Sequence, residues 1–333
     1  MKNAPVRKWF YVVLSLAVSC AAMSLAAQAE DRVLMGSLGD SITAATFANA
    51  PIPNLTRPLD RPLSKVDSDK GPEDEFLEWV RETLLPDTII ANKKKYSWAS
   101  GEDIDSHFVR LRDWMAIHAP SRTLERLNAS FPGDRTDKLE MQAQQIADAM
   151  ATGDYSELAY VTVLIGANDA CDDLARTPDQ LAVIQANLQK SLKLLNDIPQ
   201  VAASAAPVPV LVSSLPRIPD LGREEITAHD TVFGLSCKRV RDEIQKSCVP
   251  LTVWSEPAAR QERLQLVDGV NRAIQEVVAQ AAAATPHLSV VYSSTLFRRR
   301  VALGEVAADC FHPNEKGQNG IAAALWNDQP WFK

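Results

Sequence analysis

The sequence lacks an excess of basic residues, and this argues against two classes of partner. Its 333 residues carry 35 Lys and Arg against 42 Asp and Glu, a formal net charge of −7. Nucleic acids and anionic membrane surfaces attract clusters of positive charge, so we expect neither as the main partner. Neutral small molecules and single lipid molecules are compatible with such an acidic chain.

Motifs of several common site types are also missing. No Gly-x-Ser-x-Gly pentapeptide occurs, which excludes a conventional α/β-hydrolase nucleophile turn. The Walker pattern of phosphate-binding loops is absent as well. The histidines at positions 107, 118, 229 and 287 do not pair at metal-ligand spacing. We therefore predict that the protein needs no metal and no cofactor.

Long apolar runs are missing except near the N-terminus, where residues 9–25 form one. Basic residues precede this run, and Ala27-Gln28-Ala29 follows it as a small-x-small cleavage site. These features predict a signal peptide over residues 1–29 and a secreted or periplasmic protein. An uncleaved anchor is the alternative, although the run is short for a membrane span. After cleavage we expect no stable membrane insertion and a net charge of −10.

The sequence does contain a short polar block after a strand-like run. Residues 32–35, Arg-Val-Leu-Met, predict a β-strand, and residues 39–43, Gly-Asp-Ser-Ile-Thr, predict a break followed by a helix. At a helix N-terminus, the unpaired N–H of Ser41 would point at developing negative charge and supply half of an oxyanion hole. The same block also fits an ordinary helix cap.

A second block, Asp-Cys-Phe-His-Pro, lies near the C-terminus at residues 309–313. An Asp three residues before a His, on one short loop, can accept a hydrogen bond from one ring nitrogen while the other nitrogen faces a serine. The two blocks together predict Ser41 as nucleophile, His312 as general base and Asp309 as the carboxylate that orients the base.

Two further blocks offer donors for an oxyanion. Residues 160–165 form a buried-strand pattern that runs out into Gly166 and then Asn168, and open α/β sheets bind ligands at that end of a strand. A second stretch, 96–100, precedes Gly101, whose backbone N–H is another candidate donor. The predicted oxyanion hole therefore consists of the N–H groups of Ser41 and Gly101 and the side-chain amide of Asn168.

Serine, glycine, asparagine and histidine in this order resemble the SGNH (GDSL) hydrolase superfamily, with Gly-Asp-Ser first and Asp-x-x-His-Pro last. The resemblance covers most of the chain after residue 29. It implies a flavodoxin-like three-layer α/β/α sandwich with a parallel central sheet, and hydrolysis of esters through a serine. Gly-Asp-Ser-Ile-Thr-Ala-Ala and the Cys in Asp-Cys-Phe-His are most similar to the phospholipase B-like branch.

Strand-like and helix-like runs alternate along the chain, as a parallel α/β sheet requires. We predict further strands at 88–91, 208–215 and 289–292, and helices around 75–85, 181–195, 267–278 and 315–326. Residues 30–333 then form a single SGNH hydrolase domain. Long loops at about 48–74 and 216–248 exceed what this fold needs, and we expect them to determine substrate specificity beside the site.

These observations and the resemblance predict a secreted serine ester hydrolase, a lipase or esterase. The resemblance to the phospholipase B-like branch adds phospholipase and lysophospholipase as candidate activities. The partner of this hydrolase would be a small-molecule or lipid ester, held as an acyl-enzyme on Ser41. One alternative is a carbohydrate O-acetyl esterase of the same fold. Another is a non-catalytic secreted binding protein that retains the fold.

Cysteine is scarce, with five residues in the whole chain and four after residue 29. An even count after export predicts two disulfides, for which four cysteines allow three connectivities. Cys237 and Cys248 flank a short segment and can pair locally. Cys171 and Cys310 each lie beside a candidate site block, so they would be neighbours if these blocks converge. We predict the pairs Cys171–Cys310 and Cys237–Cys248.

Overall fold

The structure is a computed structural model that describes residues 31–49, 94–172, 175–231 and 234–333. The predicted signal peptide, the predicted helix at 75–85 and the predicted strand at 88–91 lie outside the described residues. So does most of the predicted loop at 48–74.

Within the described residues, five strands form the central sheet in the order β2-β1-β3-β4-β5. The strands are β1 (Asp31–Gly39), β2 (Arg122–Asn128), β3 (Glu157–Leu164), β4 (Val208–Ser213) and β5 (Leu288–Ser293). The pairs β1–β3, β3–β4 and β4–β5 are parallel. This strand order is that of the flavodoxin-like fold.

Helices connect these strands. The α-helices are α1 (His107–His118), α2 (Leu139–Ala151), α3 (Ala167–Cys171), α4 (Pro178–Asn196), α5 (Pro199–Ala202), α6 (Glu224–Thr227), α7 (Val249–Thr252), α8 (Pro257–Ala284), α9 (Thr295–Arg298) and α10 (Glu315–Asp328). The helices predicted at 181–195, 267–278 and 315–326 lie within α4, α8 and α10. In the part of the chain that the structure describes, no helix combines the length and apolar character needed to cross a membrane.

The sheet is covered by helices on both faces. On one face α2, α4 and α8 pack together, and a Cβ atom added to Gly36 of β1 would lie 2.5 Å from Ile146 of α2. On the other face α1 meets α10 through His107, whose Nε2 lies 3.2 Å from the carbonyl oxygen of Ala322. The predicted three-layer α/β/α sandwich with a parallel sheet is therefore confirmed.

The sequence analysis missed one strand, β2. Among its seven residues only Leu124 is buried, because the strand lies at the edge of the sheet. Its charged side chains form ion pairs instead, Arg122 with Glu157 at 2.6 Å and Glu125 with Arg32 at 2.5 Å. A charged edge strand lacks the continuous apolar run by which buried parallel strands are recognised.

Residues 216–256, which we call the insertion, contain the predicted long loop at 216–248. Its described part folds into short helical turns, namely the 3-10 helix Ile218–Gly222, α6, the π-helix Arg239–Ile244 and α7. The guanidinium of Arg241 is fully buried, donates to the carbonyl oxygen of Leu221 and pairs with Asp242 at 2.6 Å. The insertion is therefore held together by its own buried polar contacts.

His107 is a buried polar group in the aromatic part of the core. Its Nδ1 lies 3.0 Å from the hydroxyl of Tyr160, and the rings of Trp98 and Trp326 pack edge-on against it with centroids 5.2 Å away. Burial penalises the charged imidazolium and lowers the pKa of His107 to about 3. The ring is therefore neutral in the folded protein at neutral and mildly acidic pH.

We expect the substitution His107→Gln to make folding stability less sensitive to acid. In the unfolded chain His107 binds a proton near its ordinary pKa of 6.5, whereas in the folded protein it stays neutral until about pH 3. As pH falls from 6.5 to 3, proton binding stabilises the unfolded state by about 1.4 kcal/mol per pH unit relative to the folded state. Between pH 7 and pH 5, urea unfolding should show that the wild type loses about 2 kcal/mol more than the variant.

The exposed His118 supplies the matched control, because His118→Gln should leave the wild-type pH dependence unchanged. The carboxyl of Asp40, whose pKa burial raises to about 7, acts in the opposite direction in all three proteins and cancels in the comparison. Equal losses in the wild type and in His107→Gln would show that His107 does not contribute.

Candidate active site

Ser41 lies two residues after the end of β1 and begins a series of turns over residues 41–49, which we call the nucleophile turn. A helix was predicted here, and that prediction is wrong. Ala45 and Phe47 have φ angles of 56° and 61°, left-handed values that interrupt an α-helix. The N–H of Thr46 donates to the carbonyl oxygen of Ser41 at 3.0 Å, a contact that spans one residue more than an α-helical hydrogen bond.

Two buried glutamine side chains hold the nucleophile turn and the end of β1. Gln142 of α2 accepts from the N–H of Gly39 and donates to its carbonyl oxygen, both at 2.8 Å. Gln318 of α10 donates to the carbonyl oxygen of Ile42 at 2.9 Å. Because α2 and α10 lie on opposite faces of the sheet, the backbone on either side of Ser41 is held from both sides.

The structure brings Ser41 together with Asp309 and His312. The hydroxyl Oγ of Ser41 lies 2.9 Å from Nε2 of His312, and Nδ1 of His312 lies 2.5 Å from Oδ2 of Asp309. The other carboxylate oxygen of Asp309 accepts from the backbone N–H groups of Phe311 and His312, both at 3.1 Å. A carboxylate at Nδ1 favours the tautomer with the proton on that nitrogen, so Nε2 is available as an acceptor for the serine hydroxyl.

A closed loop carries Asp309 and His312. Val306 and Pro313 form an antiparallel bridge at its neck. Asn314 caps the first turn of α10 and also donates to the carbonyl oxygen of Val306 at 3.0 Å. The residues after the histidine therefore attach the loop to the rigid helix behind it.

Asn168 lies in α3, which begins just after β3 ends. Gly166 has a φ of 109°, which lets the chain leave the strand sharply. The Nδ2 atom of Asn168 donates to the carbonyl oxygen of Asp134 at 2.8 Å. One amide hydrogen is used in this way, and the second remains available on a side chain that lines the same cavity as Ser41 and His312.

Gly101 does not take the position predicted for it. Its N–H donates to the carbonyl oxygen of Ser97 at 2.8 Å, and an added Cβ would lie only 2.5 Å from the carbonyl oxygen of Lys95. The hydroxyl of Ser97 donates in turn to the carbonyl oxygen of Thr43 at 2.7 Å. Gly101 thus belongs to a tight turn that supports the nucleophile turn, and the prediction that its N–H faces an oxyanion is wrong.

A different glycine, Gly133, lies beside Asn168. It follows β2, has a φ of 84° and has open space where a Cβ would stand. Its N–H has no hydrogen-bond partner among the described residues, and the next residue, Asp134, accepts the amide of Asn168. The signal in the sequence was a glycine just after a strand that neighbours β1, and it was missed because β2 itself was missed.

Two buried carboxyl groups accept hydrogen bonds from the backbone around the site. Burial raises the pKa of Asp40 to about 7, and the backbone N–H groups of Ile42 and Ala167 offset only part of this rise. Asp169 accepts from the N–H of Thr136 at 3.0 Å and from its hydroxyl at 2.7 Å, and burial raises its pKa as well. Asp169 thereby connects α3 to the segment that follows Gly133.

The cysteines form two disulfides, but the predicted pairs are wrong. The bonds are Cys171–Cys248 and Cys237–Cys310, with Cα atoms 4.6 Å and 5.3 Å apart. Cys237 and Cys248 are close in sequence, yet the π-helix between them separates them in space. Each therefore bonds to a cysteine near a different site block.

The cavity beside Ser41 has mostly apolar walls. Its apolar lining consists of Ile42, Ala167, Pro216, Ile218, Leu221, Leu296, Val301, Val306, Phe311, Pro313 and Ile321. Two arginines also line it, but Arg299 is paired with Glu305 and Arg300 with Glu225. Within the described residues, no group of three or more His, Cys, Asp or Glu side chains could hold a metal ion.

The chain is similar to one known protein family and to several solved structures. The family model described as GDSL-like lipase/acylhydrolase matches residues 36–325. No curated protein sequence matches the chain. Similar solved structures include TesA, with 15% identity over 88% of this chain and 96% of that chain and a TM-score of 0.43. The psychrotrophic esterase EstA from Pseudoalteromonas sp. has 13% identity over 88% and 94%, with a TM-score of 0.39.

A putative GDSL-like lipase from Parabacteroides merdae has 11% identity over 90% of this chain and 95% of that chain, with a TM-score of 0.43. The family match is the informative one, because residues 36–325 include the end of β1, Ser41, Asn168, His312 and most of α10. The protein therefore belongs to the GDSL-like lipase/acylhydrolase family and is a carboxylic ester hydrolase.

Proposed function

We propose that the protein is a secreted serine esterase that forms an acyl-enzyme on Ser41 and prefers esters of apolar acyl chains. The observation that carries this proposal is the continuous hydrogen-bonded series from Ser41 through His312 to Asp309, with distances of 2.9 Å and 2.5 Å. This series opens into an apolar cavity.

In the proposed reaction, Oγ of Ser41 attacks the ester carbonyl while Nε2 of His312 takes its proton. Asp309 holds the ring in position and stabilises the imidazolium that forms. His312 then protonates the leaving alcohol, which departs and leaves the acyl group on Ser41. Water attacks the acyl-enzyme by the same steps, and the carboxylic acid is released.

The tetrahedral intermediate needs donors for its oxyanion, and we assign them to three residues. These are the N–H of Ser41, the N–H of Gly133 and the side-chain amide of Asn168, with Gly133 replacing the predicted Gly101. The free N–H of Gly133 and its position beside Asn168 support this assignment. Losing one such donor typically costs two to three orders of magnitude in turnover.

The cavity lining favours an apolar acyl chain over a sugar. Sugar hydroxyls need hydrogen-bond partners when they are buried, because each unpaired group costs free energy. Ile218, Leu221 and Leu296 offer none, and the side chain of Arg299 is already paired with Glu305. Apolar chains, in contrast, gain about 0.8 kcal/mol for each methylene group that they bury there.

Export is supported by two features that are independent of the site. Residues 1–29 have the charge, apolar run and cleavage site of a signal peptide. Two disulfides form in the described residues, and such bonds persist in oxidising compartments. We therefore assign the protein to the periplasm or the extracellular space.

The first test of this function is Ser41→Ala. We expect it to lower the hydrolysis of p-nitrophenyl acetate at least about a thousandfold, because the nucleophile is lost. Circular dichroism should show an unchanged fold. The exposed Ser121 provides the control variant, Ser121→Ala, which should keep full activity. Full activity in Ser41→Ala would refute the proposed mechanism.

The second test concerns the oxyanion. Asn168→Ala should lower kcat roughly 100-fold with little change in KM, because the amide acts mainly on the transition state. Asn327→Ala, at an exposed position on α10, is the control and should behave as the wild type. A raised KM with normal kcat would instead mean that Asn168 only binds substrate.

The third test concerns the acyl chain. For a series of p-nitrophenyl esters from acetyl to palmitoyl, we expect kcat/KM to rise by up to about fourfold per methylene until the cavity is full. The substitution Val301→Trp should fill part of the cavity. It should reduce activity on the longer esters and leave acetyl hydrolysis nearly unchanged.

Val183→Trp makes the same change at an exposed position on α4 and should not alter the chain-length profile. A wild-type preference for acetyl esters together with activity on acetylated sugars would favour the carbohydrate O-acetyl esterase instead. Turnover of no ester at all would favour a non-catalytic binding protein.

A further inference from the structure

We infer that the insertion positions catalytic groups. Its two disulfides hold the general base His312 and the side-chain amide of Asn168 in fixed positions relative to each other. This inference rests on the proposed function. The insertion supplies Cys237 and Cys248, and their partners Cys310 and Cys171 belong to the two site elements that follow β5 and β3. One segment is therefore bonded covalently to both.

The bond from Cys237 reaches the centre of the loop that carries the base. Its partner Cys310 lies between Asp309 and His312 in sequence, is 1% exposed and has a φ of 60°. A left-handed conformation is unfavourable for a residue with a side chain. The surrounding structure must hold the backbone there. The N–H of Cys310 donates to the carbonyl oxygen of Ala307 at 2.9 Å, and its side chain adds the covalent bond to the insertion.

A small second hydrophobic cluster surrounds this bond. It consists of Phe47, Cys237, Val240, Ala307 and Cys310 and is separate from the main core. The ring of Phe47 also packs against the imidazole of His312, with ring centroids 5.6 Å apart. The cluster therefore joins the nucleophile turn, the insertion and the loop of the base, which are the parts that must keep serine and histidine in contact.

The second bond acts on the oxyanion side. Cys171 ends α3, the short helix that carries Asn168, and Cys248 precedes α7, which packs against α3. Cys248 has a left-handed φ of 55°, so this bond, too, has one cysteine in an unfavourable conformation. The helix of the amide donor is thereby attached to the insertion within one turn of Asn168.

The described part of the insertion connects the two bonds through buried polar contacts. The π-helix lies between Cys237 and Cys248, and its Arg241 is fully buried and bonded to Leu221 and Asp242. Trp254 donates to the carbonyl oxygen of Pro219 at 2.9 Å. A misplacement of about 1 Å in a catalytic group can cost about 100-fold in rate, so a rigid connection between base and amide matters for turnover.

The test uses two double variants of the full chain, Cys237→Ala/Cys310→Ala and Cys171→Ala/Cys248→Ala. Each should lower kcat about tenfold or more with KM changed less than twofold. Activity is measured at a temperature where near-UV circular dichroism shows the variant fully folded. Peptide mapping without reductant establishes that the remaining disulfide is intact.

A double-mutant cycle with Asn168→Ala separates the two bonds. If the bond at Cys171 acts through Asn168, removing it should have little further effect on kcat once Asn168 is alanine. Removal of the bond at Cys310 should still lower kcat by its full factor in that background, because it acts on His312. If the bonds only stabilise the fold, removing either bond should change kcat equally little in the wild type and in Asn168→Ala.

Leu192→Ala is the control for lost stability. Leu192 is a buried residue of α4 in the main core, so its truncation lowers the melting temperature without touching the insertion. It should keep the wild-type kcat below its melting temperature. If the disulfide variants do the same, the inference is wrong while the function assigned to Ser41 stands, because that function is tested separately by Ser41→Ala.

If neither disulfide variant folds, the folded wild type is reduced with a water-soluble phosphine. The phosphine gives two electrons to each disulfide and becomes the phosphine oxide, water supplying its oxygen and the two thiol protons. Reduction that leaves the near-UV spectrum intact should lower kcat, and reoxidation should restore it. An unchanged kcat in fully reduced, folded protein would overturn the inference.

Discussion

The position of the nucleophile depends on side-chain hydrogen bonds to a backbone that is neither helix nor strand. Beside Ser41, both backbone groups of Gly39 are bonded to the amide of Gln142, and the carbonyl oxygen of Ile42 is bonded to Gln318. Both glutamines are fully buried. A buried backbone group left without a partner costs about 1–3 kcal/mol, so apolar residues cannot replace them without strain on the turn.

Gln142 also connects the nucleophile to the oxyanion side, because it donates to the carboxylate of Asp134 at 2.6 Å. Asp134 accepts from Asn168 through its backbone carbonyl, and Asp169 is bonded to Thr136 in the same segment. The loops after β1, β2 and β3 are thus joined at one edge of the sheet. A parallel sheet makes this possible because the carboxyl ends of its strands meet at that edge.

The buried carboxyl of Asp40, which directly precedes Ser41, makes the stability of the folded protein depend on pH. Because burial raises the pKa of Asp40 to about 7, the folded protein holds its proton more tightly than the unfolded chain does. The contribution of this group to stability is complete below its ordinary pKa of 3.8 and is lost as pH rises through 7. The folded protein is therefore less stabilised by this carboxyl at neutral pH than at acidic pH.

The apolar runs and the order of the polar blocks were sufficient to predict β1, β3, β4 and β5, the α/β class and the grouping of Ser41 with Asp309, Asn168 and His312. The strand signals are local, since each depends on residues adjacent in the chain. Neither β2 nor Gly133 was recognised, because a charged edge strand has no apolar signature. The turns after Ser41 and the disulfide pairs were decided only in three dimensions, by glutamines from two helices and by the path of the insertion. Bonds between residues far apart in the chain leave no periodic trace in the sequence, so only the tertiary structure could assign them.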